Sequence, residues 1–189
     1  MNKSVRIEYS MKRLTLILTA VVALAAFASC QQQDAANTYA TQEESIDKYV
    51  YSKFDSTAVL HNGGSTRAIL TAAAKGADSL AAGDTACFYW AGYIFSNGPG
   101  TLFGTNDPKV SSAYGDTTFM KAVIGDGALL KGLENGFPGM KKGEISYIVF
   151  SGKLGFGSDN VYNITKLSAL IYHIRLTDII KKEDKKNPQ

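Results

Sequence analysis

The chain has 189 residues, of which 45% are hydrophobic and 20% are charged, with a formal net charge of +3. This length predicts one folded domain, since domains most often contain about 100–150 residues. Four of the 20 basic residues and one of the 17 acidic residues lie in the first 29 positions, so the rest of the chain is electrically balanced. A balanced charge argues against nucleic acid as a partner.

The N-terminal residues 1–29 are predicted to be a lipoprotein signal peptide. Basic residues precede an apolar run at 14–27, and small residues lie directly before Cys30. A run of this length favours an export signal over a membrane-spanning anchor. The four residues that end at Cys30 resemble a bacterial lipobox, so Cys30 is the expected lipidation site. A signal peptide without lipid is the alternative, and the start at Met1 or Met11 stays open.

Two segments are predicted between the signal peptide and the domain. Residues 30–44 are rich in Gln, Asn, Ala and Thr and have no apolar period, which predicts a flexible tether from the lipidated cysteine. Residues 45–62 are predicted to be a helical lead-in, because Ile46, Tyr49 and Val50 recur at helical spacing. Folded structure is therefore expected only after residue 44.

Runs rich in β-branched and aromatic residues predict six strands. The most pronounced run, at 85–95, places Phe88 and Trp90 on one face and Cys87 and Tyr89 on the other. In chain order, the strands are predicted at 66–73, 85–95, 101–103, 119–124, 144–150 and 167–180.

One short helix is predicted at 129–136, between the fourth and fifth strands. Leu133 and the two preceding leucines form an apolar face, whereas Glu134 and its polar neighbours are expected to face water. Gly136 is expected to end the helix in the left-handed conformation, and Pro138 cannot continue it. So short a helix needs a tertiary partner to be stable.

These elements predict an α+β domain at 63–182. Hairpin connections favour an antiparallel sheet, and a single apolar helix can cover its concave face. We therefore expect an antiparallel sheet of five to six strands wrapped around one short central helix. Residues 183–189 carry both charge signs and are expected to be a solvated tail.

Several classes of chemistry are not supported by the sequence. His61 and His173 are far apart and lack cysteines or carboxylates at ligand spacing, so no metal site is predicted. His173 is expected on a solvated face. No nucleotide-binding glycine motif is present, so no cofactor is predicted, and Ser151 lacks the glycines of a hydrolase elbow. Cys87 is interpreted as a buried, unreactive thiol.

The stretch from Val123 to Gly157 resembles the signature of FKBP-type peptidyl-prolyl cis-trans isomerases. The matching residues are Leu129-Leu130, Gly132-Leu133-Glu134, Gly139-Met140, Gly143-Glu144 and Leu154-Gly155-Phe156-Gly157. Upstream, Gly83-Asp84-Thr85 and Trp90-Ala91-Gly92 match the start of the family's core. The resemblance covers about residues 66–180 and implies an FKBP-like fold.

The resemblance also implies a site built from apolar side chains. The implied catalytic positions are Trp90, Phe103, Leu133, Phe156 and Tyr172. The implied substrate-binding positions are Leu129, Leu130 and Met120. Neither a cofactor nor a metal ion is implied.

The chain departs from the family pattern at three places. Gly104 stands where the family has an aspartate, and Phe156 stands where it has a tyrosine. Residues 164–166 replace the Ile-Pro-Pro that precedes the family's last strand. Two polar groups are therefore missing from the implied pocket.

Two main hypotheses follow for the function. The first is a peptidyl-prolyl isomerase that acts on proline-containing peptides or unfolded exported proteins in the cell envelope, anchored in the membrane, with a preference for the outer membrane, through lipidated Cys30. The second is a weak or inactive FKBP-fold lipoprotein that binds peptides or proteins without turnover. A purely structural envelope lipoprotein is the third alternative.

Overall fold

The computed structural model describes residues 32–111 and 118–182. The predicted signal peptide, Cys30 and the charged tail at 183–189 lie outside these residues. The chain divides into two units, at 1–38 and 39–189. In the first unit, residues 32–38 are helical. No helix in the described ranges is both long enough and apolar enough to cross a membrane.

The second unit begins with helix α1, residues 39–53, where the sequence predicts a tether up to residue 44. The tether prediction is corrected here, since residues 32–44 are helical. Gln42 accepts a hydrogen bond from the Gly152 backbone N–H at 2.9 Å and donates one to the Leu167 carbonyl at 2.6 Å. Gln and Ala are good helix formers, and these side-chain contacts satisfy backbone groups of a loop.

The predicted helical lead-in at 45–62 is also shorter than expected. Helix α1 ends at residue 53, and a 3-10 turn at Ser56–Ala58 leads into strand β1, Val59–Asn62. Gly63 and Gly64 both have positive φ and form the two-residue turn of the β1–β2 hairpin. Strand β1 was missed because its side chains are mostly exposed and show no apolar alternation.

The other strands lie where the sequence predicts them, with small shifts at their ends. They are β2 (Ser65–Thr71), β3 (Thr85–Phe95), β4 (Pro99–Thr105), β5 (Met120–Val123), β6 (Ile145–Phe150) and β7 (Leu170–Ile180). All seven form one antiparallel sheet in the order β1-β2-β6-β7-β3-β4, and β5 also pairs with β3. The central strands β6, β7 and β3 therefore carry the core on one face.

Helix α2, Lys131–Gly136, packs directly on strand β6 through two glycines. A Cβ atom built on Gly132 would overlap the Phe150 ring, and one built on Gly136 would overlap the Ile148 side chain. The two glycines are one helical turn apart, and Ile148 and Phe150 lie on one face of β6. The missing side chains therefore let the helix approach the sheet closely.

Two expectations for this helix are corrected by the structure. Gly136 does not adopt a left-handed conformation: the helix includes it, and the positive φ of +79° belongs to Gly139. Glu134 does not face water, because it is 7% exposed and accepts a hydrogen bond from the Gly125 backbone N–H. A carboxylate that receives a backbone N–H can be buried without leaving that group unpaired.

The C-terminal end of α2 is held by a buried arginine from β2. Nη1 of Arg67 donates to the carbonyls of Gly136 and Pro138 at 3.0 and 2.9 Å. Its Nε atom lies 3.4 Å from Oε1 of Glu144. Burial lowers the pKa of Arg67, and the negative charge of Glu144 opposes that shift. Arg67 thus satisfies carbonyl groups that a helix end leaves without intrahelical partners.

The opposite face of the sheet carries a second apolar cluster, which includes Ile46 of α1, Val149 and Ile171. His173 lies on this face and is half-buried, which corrects the expectation of a solvated histidine. Its ring packs edge-on against Tyr147, with 5.7 Å between centroids. Its Nδ1 atom is buried and has no hydrogen-bond partner among the described residues.

Two charged residues influence His173. Burial lowers the pKa of its imidazole, the carboxylate of Asp107 raises it, and Arg175 lowers it. Arg175 donates to Asp107 through Nη2 at 2.7 Å and through Nε at 3.1 Å. Burial acts to raise the pKa of Asp107, but the hydrogen bonds from Arg175 and the Lys109 backbone N–H outweigh it, so the pKa is lowered.

We expect Gly136→Ala to destabilise the domain, although alanine is the better helix former. The substitution would favour an exposed helix by about 1 kcal/mol, whereas overpacking costs about 1–3 kcal/mol. The free energy of unfolding, measured in urea, should therefore fall by up to about 2 kcal/mol, the difference between these two effects. Lys131→Ala, at an exposed position of the same helix, should change it by less than about 0.5 kcal/mol. A more stable Gly136→Ala protein would contradict the close packing.

We expect the domain to lose stability as the pH falls below about 6.5, the ordinary pKa of histidine. Because the pKa of folded His173 is lowered, the unfolded chain binds a proton first, and stability falls until the pH reaches the folded pKa. Unfolding midpoints measured between pH 7 and pH 5 should show this slope, and His173→Gln should flatten it. Parallel pH profiles for the two proteins would contradict the assignment.

Candidate functional site

Three aromatic residues meet on the helix-covered face of the sheet. Tyr172 of β7 lies between Trp90 of β3 and Phe103 of β4, with ring centroids 5.8 and 5.6 Å away. The Phe103 ring meets Tyr172 edge-on at 77°. Alternation places Trp90 and Tyr172 on the same face, since their strands are paired and antiparallel. This aromatic cluster is the candidate site.

Two glycines make room for the aromatic cluster. A Cβ atom at Gly92 would overlap the Phe103 ring and lie 3.1 Å from Cε1 of Tyr172. A Cβ atom at Gly104 would lie 3.1 Å from Cη2 of Trp90. The indole therefore rests almost on the backbone of residue 104. This contact gives a steric reason for the missing aspartate, because a side chain at 104 would press on Trp90.

The helix and the loop after β6 supply further members of the cluster. Leu133 is buried at 5% exposure, whereas Leu129, Leu130 and Phe156 are partly buried and pack against the same core. Seven residues predicted from the sequence thus belong to, or pack against, one hydrophobic core: Trp90, Phe103, Leu129, Leu130, Leu133, Phe156 and Tyr172.

Met120 is placed differently from the other predicted residues. It lies on β5 opposite Phe88, and its side chain is 37% exposed. A cleft of about 530 Å³ alongside α2 is lined by Leu129 together with polar residues such as Lys131 and Glu134. Of the residues predicted for the site, only Leu129 borders this cleft.

Two residues of the cluster were missed in the sequence. Phe150 stacks on Tyr172 with 5.9 Å between centroids and 16° between ring planes. Leu154, in the 3-10 turn Gly152–Leu154, packs against the same core. Alternation along β6 puts Phe150 on the face of Ile148, and that signal could have indicated its contact with the last strand.

The backbone of Trp90 is held in place by β4 and the residue that follows it. Oδ1 of Asn106 accepts a hydrogen bond from the Trp90 N–H at 2.7 Å. The Trp90 carbonyl accepts from Oγ1 of Thr105 at 2.7 Å and from the Asn106 N–H at 3.1 Å. These bonds fix the backbone from which the Trp90 side chain projects, while residue 90 itself stays partly exposed.

Residues 79–177 match the profile of the FKBP-type peptidyl-prolyl cis-trans isomerase family. The chain is similar to the crystal structure of FkpA from Escherichia coli, with 16% identity and a TM-score of 0.57, covering 96% of this chain and 84% of that one. No curated protein sequence matches the chain significantly.

A second solved structure shows the same fold. The crystal structure of the three FKBP domains of wheat FKBP73 has 17% identity and a TM-score of 0.54, covering 66% of this chain and 49% of that one. Identities this low establish the fold alone. The expected α+β architecture, an antiparallel sheet around a short helix, is confirmed.

Proposed function

The chain belongs to the FKBP-type peptidyl-prolyl cis-trans isomerase family, and we propose that it catalyses rotation about Xaa-Pro peptide bonds. The observation that carries this proposal is the meeting of Trp90, Phe103 and Tyr172 with Leu133 and Phe156 on one core cluster. The substrates we propose are proline-containing peptides and unfolded exported proteins.

The chemistry of this reaction suits an apolar site. The barrier to rotation is about 18–20 kcal/mol, because twisting the amide destroys its resonance. Resonance places negative charge on the carbonyl oxygen, and water stabilises that charge by hydrogen bonding. Aromatic walls such as Trp90 and Phe103 would replace this water and bind the twisted form in preference to the planar one. No side chain has to transfer a proton or form a covalent bond.

A second candidate function is binding without turnover. Gly104 and Phe156 favour it, since neither position supplies the polar group of the family pattern. In that case the aromatic cluster would hold a peptide or a protein segment, and the twisted form would gain no preference over the planar one.

We also propose that the protein acts in the cell envelope. The basic start, the apolar run at 14–27 and the small residues before Cys30 support export and lipidation. The absence of an aspartate after Cys30 favours the outer membrane. A lipid at Cys30 would keep the isomerase close to exported chains as they fold.

The catalytic proposal is tested with a protease-coupled assay on a tetrapeptide that contains Leu-Pro. The protein should accelerate isomerisation, and Phe156→Ala should lower kcat/KM by at least about tenfold, because it removes a large apolar contact from the site. Tyr162→Asn is the matched control: Tyr162 is an exposed aromatic in the same connection, and asparagine tolerates its φ of 50°.

Two outcomes of that assay would contradict catalysis. One is a rate equal to the uncatalysed rate, and the other is a rate that Phe156→Ala leaves unchanged. Trp90 is the only tryptophan in the chain, so its emission reports peptide binding independently of turnover. Binding without acceleration would support the second candidate function.

The anchoring proposal predicts that Cys30 carries the lipid. Cells grown with labelled palmitate should yield labelled wild-type protein in the membrane fraction. Cys30→Ser should abolish the label and release the protein from that fraction, because the substitution removes the only proposed attachment point. Unlabelled wild-type protein, or a Cys30→Ser protein that keeps its label, would contradict lipidation at this residue.

A further inference from the structure

The hydroxyl of Tyr172 has no hydrogen-bond partner among the described residues, although the residue is only 6% exposed. The ring is enclosed by Trp90, Phe103 and Phe150. The remaining 6% exposure leaves Tyr172 incompletely enclosed, and its oxygen is not a fully buried atom. An enclosed phenol with a free, reachable hydroxyl is suited to bind a polar atom of a ligand.

The Tyr172 hydroxyl has one protonation state in the physiological pH range. Burial raises the pKa of Tyr172 far above the physiological range. The phenol is therefore neutral at every physiological pH and keeps its proton for donation. A neutral donor in apolar surroundings makes a stronger hydrogen bond than the same donor in water.

Few other polar atoms are available at the aromatic cluster. Phe103, Phe150 and Phe156 carry none on their side chains, and the indole N–H of Trp90 is the other side-chain donor among the clustered aromatics. Tyr172 is placed at the centre of the cluster, with three rings around it. Its hydroxyl is thus the donor most enclosed by the apolar walls.

We propose that the Tyr172 hydroxyl orients the bound substrate by donating a hydrogen bond to a backbone carbonyl next to the proline. This inference rests on the proposed function, because it assumes that a proline segment occupies the aromatic cluster. Tyr172 would supply from the last strand the hydroxyl that Phe156 does not supply from the loop.

The acceptor is a flanking carbonyl rather than the carbonyl of the rotating bond. Donation to the oxygen of that bond would stabilise its negative charge in the planar resonance form and so oppose rotation. A flanking carbonyl keeps its hydrogen bond in the planar and twisted states alike. The contact therefore contributes uniform binding, which appears in KM and not in kcat.

The test compares Tyr172→Phe with the wild-type chain, using Trp90 emission for peptide binding and the protease-coupled assay for turnover. Tyr172→Phe should raise the Kd and KM for the Leu-Pro tetrapeptide roughly two- to tenfold, the worth of one hydrogen bond, with kcat unchanged. Tyr93→Phe is the matched control, since Tyr93 is a half-buried phenol on the opposite face of the sheet. It should leave both constants unchanged.

Each result decides the inference. A Tyr172→Phe protein with wild-type Kd and KM overturns it, and so does a fall in kcat at constant KM, because that would place the hydroxyl's contact in the twisted state only. A wild-type chain that binds but does not turn over contradicts the isomerase proposal alone, and the Kd comparison still tests the hydroxyl. A wild-type chain that does not bind the peptide overturns both.

Discussion

The contact between helix α2 and strand β6 is the constraint on which the rest of the domain depends. A six-residue helix is too short to be stable alone, so its position is set by what it touches. Gly132 and Gly136 bring its backbone onto Phe150 and Ile148. Arg67 then binds the carbonyls at its C-terminal end. The height of Leu133 above the sheet, and with it the base of the aromatic cluster, follows from this contact.

The two faces of the central strands pack against different elements, because side chains alternate along β3 and β7. One face carries Trp90 and Tyr172 toward the helix, and the other carries residues that α1 or the Asp107–Arg175 ion pair helps to cover. On the first face, the glycines at 92 and 104 leave room for the rings of Phe103 and Trp90. A large ring lies where a side chain would otherwise stand, so the cluster gains apolar area at both positions and lacks the family's polar group at residue 104. Apolar walls that exclude water suit the proposed rotation about a prolyl bond.

Most of the fold was predictable because its signals are local. Strand β3 was predicted with its observed bounds, and the helix and the last strand within three residues, since each has a strong apolar period and clear turn residues at its ends. Strand β1 and the helical residues 32–44 were not predicted. Their side chains lack an apolar period. Strand β1 is held by its pairing with β2, and residue 42 of the helix exchanges hydrogen bonds with the distant residues 152 and 167.

The sequence by itself determined the fold class and the positions of six of the seven described strands, because apolar periods and turn residues carry that information, and the resemblance to a family supplied the candidate site residues. Only the tertiary structure decided how those residues meet. The sequence predicts that Gly136 ends the helix, but in the structure Gly136 contacts strand β6. The sequence predicts a solvated Glu134, but its side chain is buried. Phe150 reads as an ordinary strand residue, but its ring stacks on Tyr172. Each of these outcomes depends on an atom from another element, and the distance to that atom is set by the packing of helix on sheet rather than by any neighbour in the chain.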